Sequence, residues 1–267
     1  MPWVPRGLRD GIITTRYPGR PDSYGGDFRA AIDVIASPAS TNGRATHDLD
    51  IERMCPTGAI TVEAGDLRVD RGRCIVCGRC VAERPELFAF NPDIEVAALE
   101  RATLVVPTRD CDVDDGTLEQ ARADLAARVR ALRRSVHIRH VDAGSDGGEE
   151  WEIAALTNPV YDVQRLGVFF TASPRHADLL LVTGAGTVGM AGPLRRTWEA
   201  MPAPKIVIAA GSDAITGGLI HPSYPTGGGV GGLLPVDVWV PGSPPSPLSL
   251  LHAILVGVGL LAPRGSP

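Results

Sequence analysis

Apolar and polar positions alternate along this chain with rhythms that change from one stretch to the next. In the C-terminal half, short apolar runs are separated by glycine-rich turns. Val136-His137-Ile138-Arg139-His140-Val141 predicts a strand, Ala177 to Gly184 a buried strand ending at glycine, and Lys205 to Gly211 the strand after it. Between the last two, Gly192 to Met201 predicts a helix with Pro193 in its first turn, where a missing N–H does no harm. Strand–helix–strand units with short turns imply a parallel sheet whose functional loops follow the strand C-termini. The run Leu248 to Ala262, broken by Ser249, His252 and glycines, is too short for a membrane span and reads as a buried C-terminal helix. Upstream, Leu118, Ala121, Leu125, Val129 and Leu132 fall on one face of a helix over residues 117–132, packed on one side. Leu67 to Arg73 predicts a short strand, and the Gly-, Pro- and Ser-rich residues before 46 a largely extended arm.

These rhythms divide the 267 residues into an arm (1–45), a small α+β module (46–100), a helical connector (101–135) and an α/β domain (136–267). A hydrophobic content of 44% supports real cores, and a net charge of −5 offers no basic surface for nucleic acid. The 26 basic residues include a single lysine, Lys205, which reads as base composition rather than a demand for arginine. The N-terminus shows no apolar signal core. Cysteines in metal spacing rather than in pairs fit a reducing compartment, so the expected location is cytoplasmic.

Those cysteines carry the candidate chemistry. Cys74, Cys77 and Cys80 form a C-x2-C-x2-C run, and Cys55 stands earlier in a Cys-Pro pair. This is the ligand set of one 4Fe–4S cluster, because a Cys-Pro cysteine completes the set begun by another run in ferredoxins. Soft iron–sulfide chemistry requires thiolates. Zinc is the alternative, but its sites usually come as two C-x2-C pairs, and the three close cysteines pair poorly as disulfides. Cys111 stands alone and reads as a free thiol. Arg71, Arg73 and Arg79 flank the run, either offsetting cluster charge or simply solvated. His137 and His140 fall on opposite faces of their strand and are poor partners for one metal. The turn Gly184 to Gly189 is weak as a nucleotide signal, with no acidic ribose partner at a convincing place.

The segment around the cysteines resembles a bacterial-type ferredoxin with two half-motifs. The first half lacks its three cysteines in residues 45–52, and Arg84 stands where the second Cys-Pro should be. Both losses fall on the ligands of one cluster, which implies a single-cluster ferredoxin-like module. The C-terminal half resembles the small iron–sulfur subunit shared by formate hydrogenlyase, group 4 NiFe hydrogenases and the 20 kDa subunit of NADH:quinone oxidoreductase. The matching stretches are Leu156 to Asp162, Ala172 to Gly184, Pro193 to Pro202, Val236 to Gly242, and Pro244-Pro245. Thr14-Thr15-Arg16-Tyr17-Pro18 resembles the ferredoxin subunit of the same complexes, so the chain looks like a fusion of the two.

The resemblance implies a flavodoxin-like parallel sheet with helices, and a second cluster site in the C-terminal domain. At the family's cysteine positions this sequence has Asp146, Glu149, Asp213 and Ser243. Three readings are open for these four residues: filler held by loop N–H groups and water, a hard-cation site for Mg²⁺ or Mn²⁺, or an altered iron site. The expected function is an iron–sulfur electron-transfer subunit with one 4Fe–4S cluster and a degenerate second site. It would dock on a large hydrogenase-like subunit and a membrane arm, and lie peripherally on the inner face of the cell membrane. The alternatives are a scaffold subunit whose cluster stabilises the fold, or a hard-metal-binding protein.

Overall fold

The computed structural model describes residues 3–20, 28–36, 48–63, 66–108, 114–130, 135–220 and 222–261. Cys111 and Leu132, both given roles by the sequence, lie outside them.

The N-terminal region opens with helix α1 (Trp3–Asp10), none of whose residues is buried. Strand β1 (Ala31–Val34) follows, then helix α2 (Asp48–Arg53), strands β2 (Ile60–Glu63) and β3 (Asp66–Asp70), helix α3 (Arg79–Glu83), and strands β4 (Phe88–Asn91) and β5 (Val105–Val106). Antiparallel pairing joins β1 to β4, and β3 to both β2 and β5. Ile32, Ile51, Ile60, Leu67, Val69, Leu87 and Phe88 form its small core. Within the described residues, the arm expected to be largely extended supplies helix α1 and the paired strand β1. Its Tyr17 is buried in the core of the C-terminal domain, where Val160 and Pro159 carbonyls accept from the Thr15 N–H and the Thr14 hydroxyl, each at 2.7 Å.

Helix α4 (Asp115–Val129) lays Leu125 and Val129 on that same C-terminal core. The domain continues with strand β6 (Val136–Asp142), helix α5 (Gly148–Ala155), strands β7 (Val168–Phe170) and β8 (Leu179–Thr183), helix α6 (Val188–Ala200), strand β9 (Ile206–Ala210), helix α7 (Ser212–Thr216), strand β10 (Val238–Val240) and helix α8 (Pro247–Gly257). Five parallel strands run in the order β10-β9-β8-β6-β7, the flavodoxin-like order, with the switch point between β6 and β8. All ten residues of β8 and β9 are buried, as strands covered on both faces require. Their side chains alternate: Leu179, Leu181, Ile206 and Ile208 face the α8 side, and Leu180, Val182 and Val207 the opposite layer. Every residue of α8 is buried, as its apolar run predicts.

Helix α6 begins four residues earlier than the sequence suggests, and Pro193 lies inside it. Gly184 and Gly186, at φ +80° and +69°, turn the chain so tightly that Thr187 already caps the helix, its carbonyl accepting from Met190 and Ala191 N–H at 3.0 Å. Gly189 and Pro193 are both exposed, so water can take the carbonyl that proline leaves unbonded.

The two regions are joined closely. Ala98 and Trp239 exchange backbone hydrogen bonds at 2.9 and 2.8 Å, and Ala98, Leu104 and Ile215 share a small apolar cluster. Gly72, just before the cysteine run, lies against α7: its carbonyl accepts from the Thr216 hydroxyl at 3.2 Å. A Cβ at this position would come within 2.9 Å of Ile215.

Candidate iron–sulfur site and acidic pocket

The cysteine run leaves β3 through a tight turn in which the Asp70 carbonyl accepts from both Arg73 and Cys74 N–H at 3.0 Å. Val76 (φ 52°) and Gly78 (φ 73°) then take left-handed conformations that curl the loop before α3 begins. Only glycine suits position 78, since a Cβ there would lie 2.5 Å from the Phe90 ring. Cys55 arrives from the end of α2. Its Sγ accepts from the Ala59 N–H at 3.2 Å, and the Cys74 Sγ from the Val76 N–H at 3.4 Å.

The result is one cavity lined by Cys55, Cys74, Cys77 and Cys80 together with Ile32, Met54, Ile60 and Val69. Burial, and secondarily the neighbouring cysteines, pushes the Cys74 thiol up to about 12; burial again leads in pushing Cys80 to about 11. Four thiols crowded into an apolar hollow suit a metal centre that replaces their protons, with backbone N–H groups already aimed at two of the sulfurs. The donor set therefore fits an iron–sulfur cluster. The flanking arginines are engaged elsewhere: Arg71 with Asp33, Arg73 with Asp70 at 3.6 Å, and Arg79 with Glu83 at 2.7 Å.

A second cluster of side chains lies at the C-terminal end of the parallel sheet, where such folds place their sites. Asp146 comes from the loop after β6, Glu149 from the first turn of α5, and Asp213 from the first turn of α7. One carboxylate oxygen of each lies within 4.8 Å of the others. Glu149 is only 2% exposed and Asp213 7%. Burial first, then Asp213, Asp146 and Glu150, pushes the Glu149 carboxyl up to about 7, and Asp213 is raised by burial and then by Asp146 and Glu150.

The Ser243 loop borders this pocket, with the Gly242 carbonyl accepting from the Ser212 N–H at 2.7 Å. Ser243 itself lines a cavity of about 220 Å³ shared with Ile75 and Val76 of the cysteine loop. Oxygen donors do not fit a cubane cluster, which needs thiolates.

A polar network that the sequence reading missed lies next door. Glu150 receives the Thr183 hydroxyl and, at 2.8 Å, the Ser145 hydroxyl, while the His140 Nε2 lies 3.0 Å from the Thr183 Oγ. Burial lowers the His140 pKa, against the pull of Glu150. His137 is engaged separately, stacked on Phe169 at 5.8 Å, so the two histidines do not share a site.

The family model of the NADH ubiquinone oxidoreductase 20 kDa subunit matches residues 147–256. A probable membrane-bound hydrogenase subunit, mbhJ of Pyrococcus furiosus, is 40% identical over 138 residues, covering 52% of this chain and 83% of that protein. The chain belongs to the NADH ubiquinone oxidoreductase 20 kDa subunit family. Subunit 7 of formate hydrogenlyase from Escherichia coli is 40% identical over 146 residues, 54% of this chain and 57% of the relative. Subunit K 2 of the NAD(P)H-quinone oxidoreductase of a Cyanothece strain is 46% identical over 104 residues, 39% of this chain and 40% of that protein. The chain thus spans little more than half of the formate hydrogenlyase subunit's length. A 4Fe-4S single cluster domain model matches residues 67–129. This member of the 20 kDa subunit family therefore carries an iron–sulfur domain ahead of its α/β domain. The iron–sulfur match includes Cys74, Cys77 and Cys80, while Cys55 lies upstream of it and reaches the cavity through the fold.

Proposed function

We propose that this chain is an electron-transfer subunit of a membrane-associated oxidoreductase complex, holding one 4Fe–4S cluster through Cys55, Cys74, Cys77 and Cys80. The observation that carries this reading is the single apolar cavity lined by all four cysteines. A cluster bound there supplies one-electron transfer and nothing else. The protein's part is to hold the four thiolates, to direct the Ala59 and Val76 N–H groups at sulfur, and to exclude water with Ile32, Met54, Ile60 and Val69. None of the sequence's five cysteines falls after residue 111, so we read the second site of the family as degenerate and one-electron chemistry as confined to the N-terminal module.

The named relatives are subunits of formate hydrogenlyase, of a membrane-bound hydrogenase and of a quinone oxidoreductase. By analogy the partners are a large hydrogenase-like subunit and a membrane arm, with this chain peripheral to the membrane. No helix of the described residues is long and apolar enough to cross one. Exposed Trp151, Val188, Leu219 and Tyr224 lie around the end of the sheet that carries the acidic pocket, and supply an apolar face for such a partner. The test is native purification under anaerobic conditions with a tagged chain. Recovery of a large-subunit homologue, together with a reducible paramagnetic cluster lost equally in Cys55→Ser and Cys77→Ser, supports the reading. A cluster that survives Cys55→Ser, or a partner-free chain with turnover of its own, refutes it.

A further inference from the structure

The pocket of Asp146, Glu149 and Asp213 is more than a vacated position. We propose that it binds one hard divalent cation of the Ca²⁺ or Mn²⁺ type. The three carboxylates come from three loops at the C-terminal edge of one sheet, and their oxygens already stand within 4.8 Å of one another. Ca²⁺ takes oxygens at about 2.3–2.6 Å and tolerates irregular geometry, so one ion can bridge carboxylates at this separation.

An acidic cluster alone would prove little. Here Glu149 is 2% exposed and its Oε2 has no hydrogen-bond partner, although the carboxylate that carries it belongs to the cluster. A buried carboxylate oxygen normally finds a donor, and one without a protein partner is free to accept from a water or bind an ion. None of the three acids forms an ion pair with an arginine, lysine or histidine among the described residues.

The backbone has also been shaped around these oxygens. Gly211 (φ +95°) leaves room that a Cβ would take, 2.3 Å from the Glu149 Oε1. Gly218 (φ +52°) does the same at 1.9 Å from the Asp213 Oδ1. The Ser212 hydroxyl, fully buried and without a hydrogen-bond partner, lies 3.3 Å from that same Gly218 position and offers a neutral oxygen beside the charged ones. Asp146 is exposed and leaves the pocket a route to solvent. Three carboxylates, one of which carries an unpartnered oxygen, gathered with no basic partner among the described residues, form a site for a hard ion and not for iron–sulfide.

This proposal stands independently of the electron-transfer reading, and its test reads the cation alone. The full chain with its cluster is stripped with chelator, desalted, and titrated with Mn²⁺ followed by electron spin resonance and with Ca²⁺ followed by calorimetry. One saturable equivalent per chain is expected, weakened at least tenfold in Glu149→Gln and in Asp213→Asn. Binding should be unchanged in Glu199→Gln, at the far end of α6. Should Glu149→Gln fail to fold, Asp146→Asn at the exposed ligand gives the same reading, and thermal melts with and without Ca²⁺ give a second: the wild type rises with the ion and the variant does not. Absence of saturable binding at millimolar Mn²⁺ and Ca²⁺, or binding indifferent to both Asp146→Asn and Asp213→Asn, overturns the proposal.

Discussion

Replacing Glu149 by Gln should stabilise the cation-free protein at alkaline pH while leaving it unchanged in acid. The carboxyl is pushed from its usual 4.5 to about 7, first by burial and then by its acidic neighbours. The folded state therefore keeps a proton that the unfolded state has released. The stability this group contributes is full below pH 4.5 and is lost as pH rises through about 7. At about 1.4 kcal/mol per pH unit, the gap amounts to about 3 kcal/mol of lost stability by pH 8. Glutamine keeps the shape without the charge and should not suffer that loss. For a chain of this size about 3 kcal/mol corresponds to roughly 6–12 °C in melting temperature. Urea unfolding of chelator-treated wild type and variant, followed by far-ultraviolet circular dichroism from pH 4 to 8, tests this. The curves should meet near pH 4, separate between about pH 4.5 and 7, and keep a constant gap above that, with the variant the more stable. Saturating Ca²⁺ should close the gap at pH 8 by stabilising only the wild type. Parallel pH profiles, or a variant weaker at pH 8, would refute the reasoning about burial and crowding in this pocket.

Other consequences follow from single contacts. Gly78→Ala should reduce iron retention and cost roughly 2 kcal/mol or more, measured by iron content and thermal melting, because position 78 combines φ 73° with the Phe90 ring at 2.5 Å. Leu181→Ala, fully buried in the central strand β8, should cost about 2–5 kcal/mol in chemical denaturation without changing the iron content of the folded fraction. Arg79→Ala should shift stability by less than about 1 kcal/mol, since its pair with Glu83 at 2.7 Å is exposed. Cys111→Ser should leave iron content unchanged.

Much of this molecule was legible because its core strands are so apolar. Leu179 to Thr183 and Ile206 to Ala210 could only be strands buried on both faces, and their spacing by one helix fixed a parallel sheet. The cysteine spacing likewise announced its chemistry before any coordinate. The arm's pairing was not legible because Gly and Pro composition says nothing of distant partners: β1 forms only by meeting β4, with Ala31 opposite Asn91, 60 residues on, and Val34 opposite Phe88, 54 residues on. The start of α6 was misplaced because Pro193 looks like a first-turn residue, while the two left-handed glycines before Thr187 bring the cap forward. The acidic pocket was legible only through the resemblance that aligned its loops. That three of its oxygens converge, that the Glu149 Oε2 is left without a donor, and that Gly211 and Gly218 make room for the carboxylates are all products of tertiary packing. Hydroxyl networks such as Thr183 and Ser145 on Glu150 depend on the β6–β8 switch point, and no local pattern encodes them.

The central claim is that four cysteines from two separate segments close one metal site in a chain with no second thiolate set. Iron, acid-labile sulfide and zinc, quantified together on anaerobically purified chain, test it most directly. The account predicts about four irons and four sulfides per chain, with no zinc. About eight irons, or stoichiometric zinc without sulfide, would contradict it.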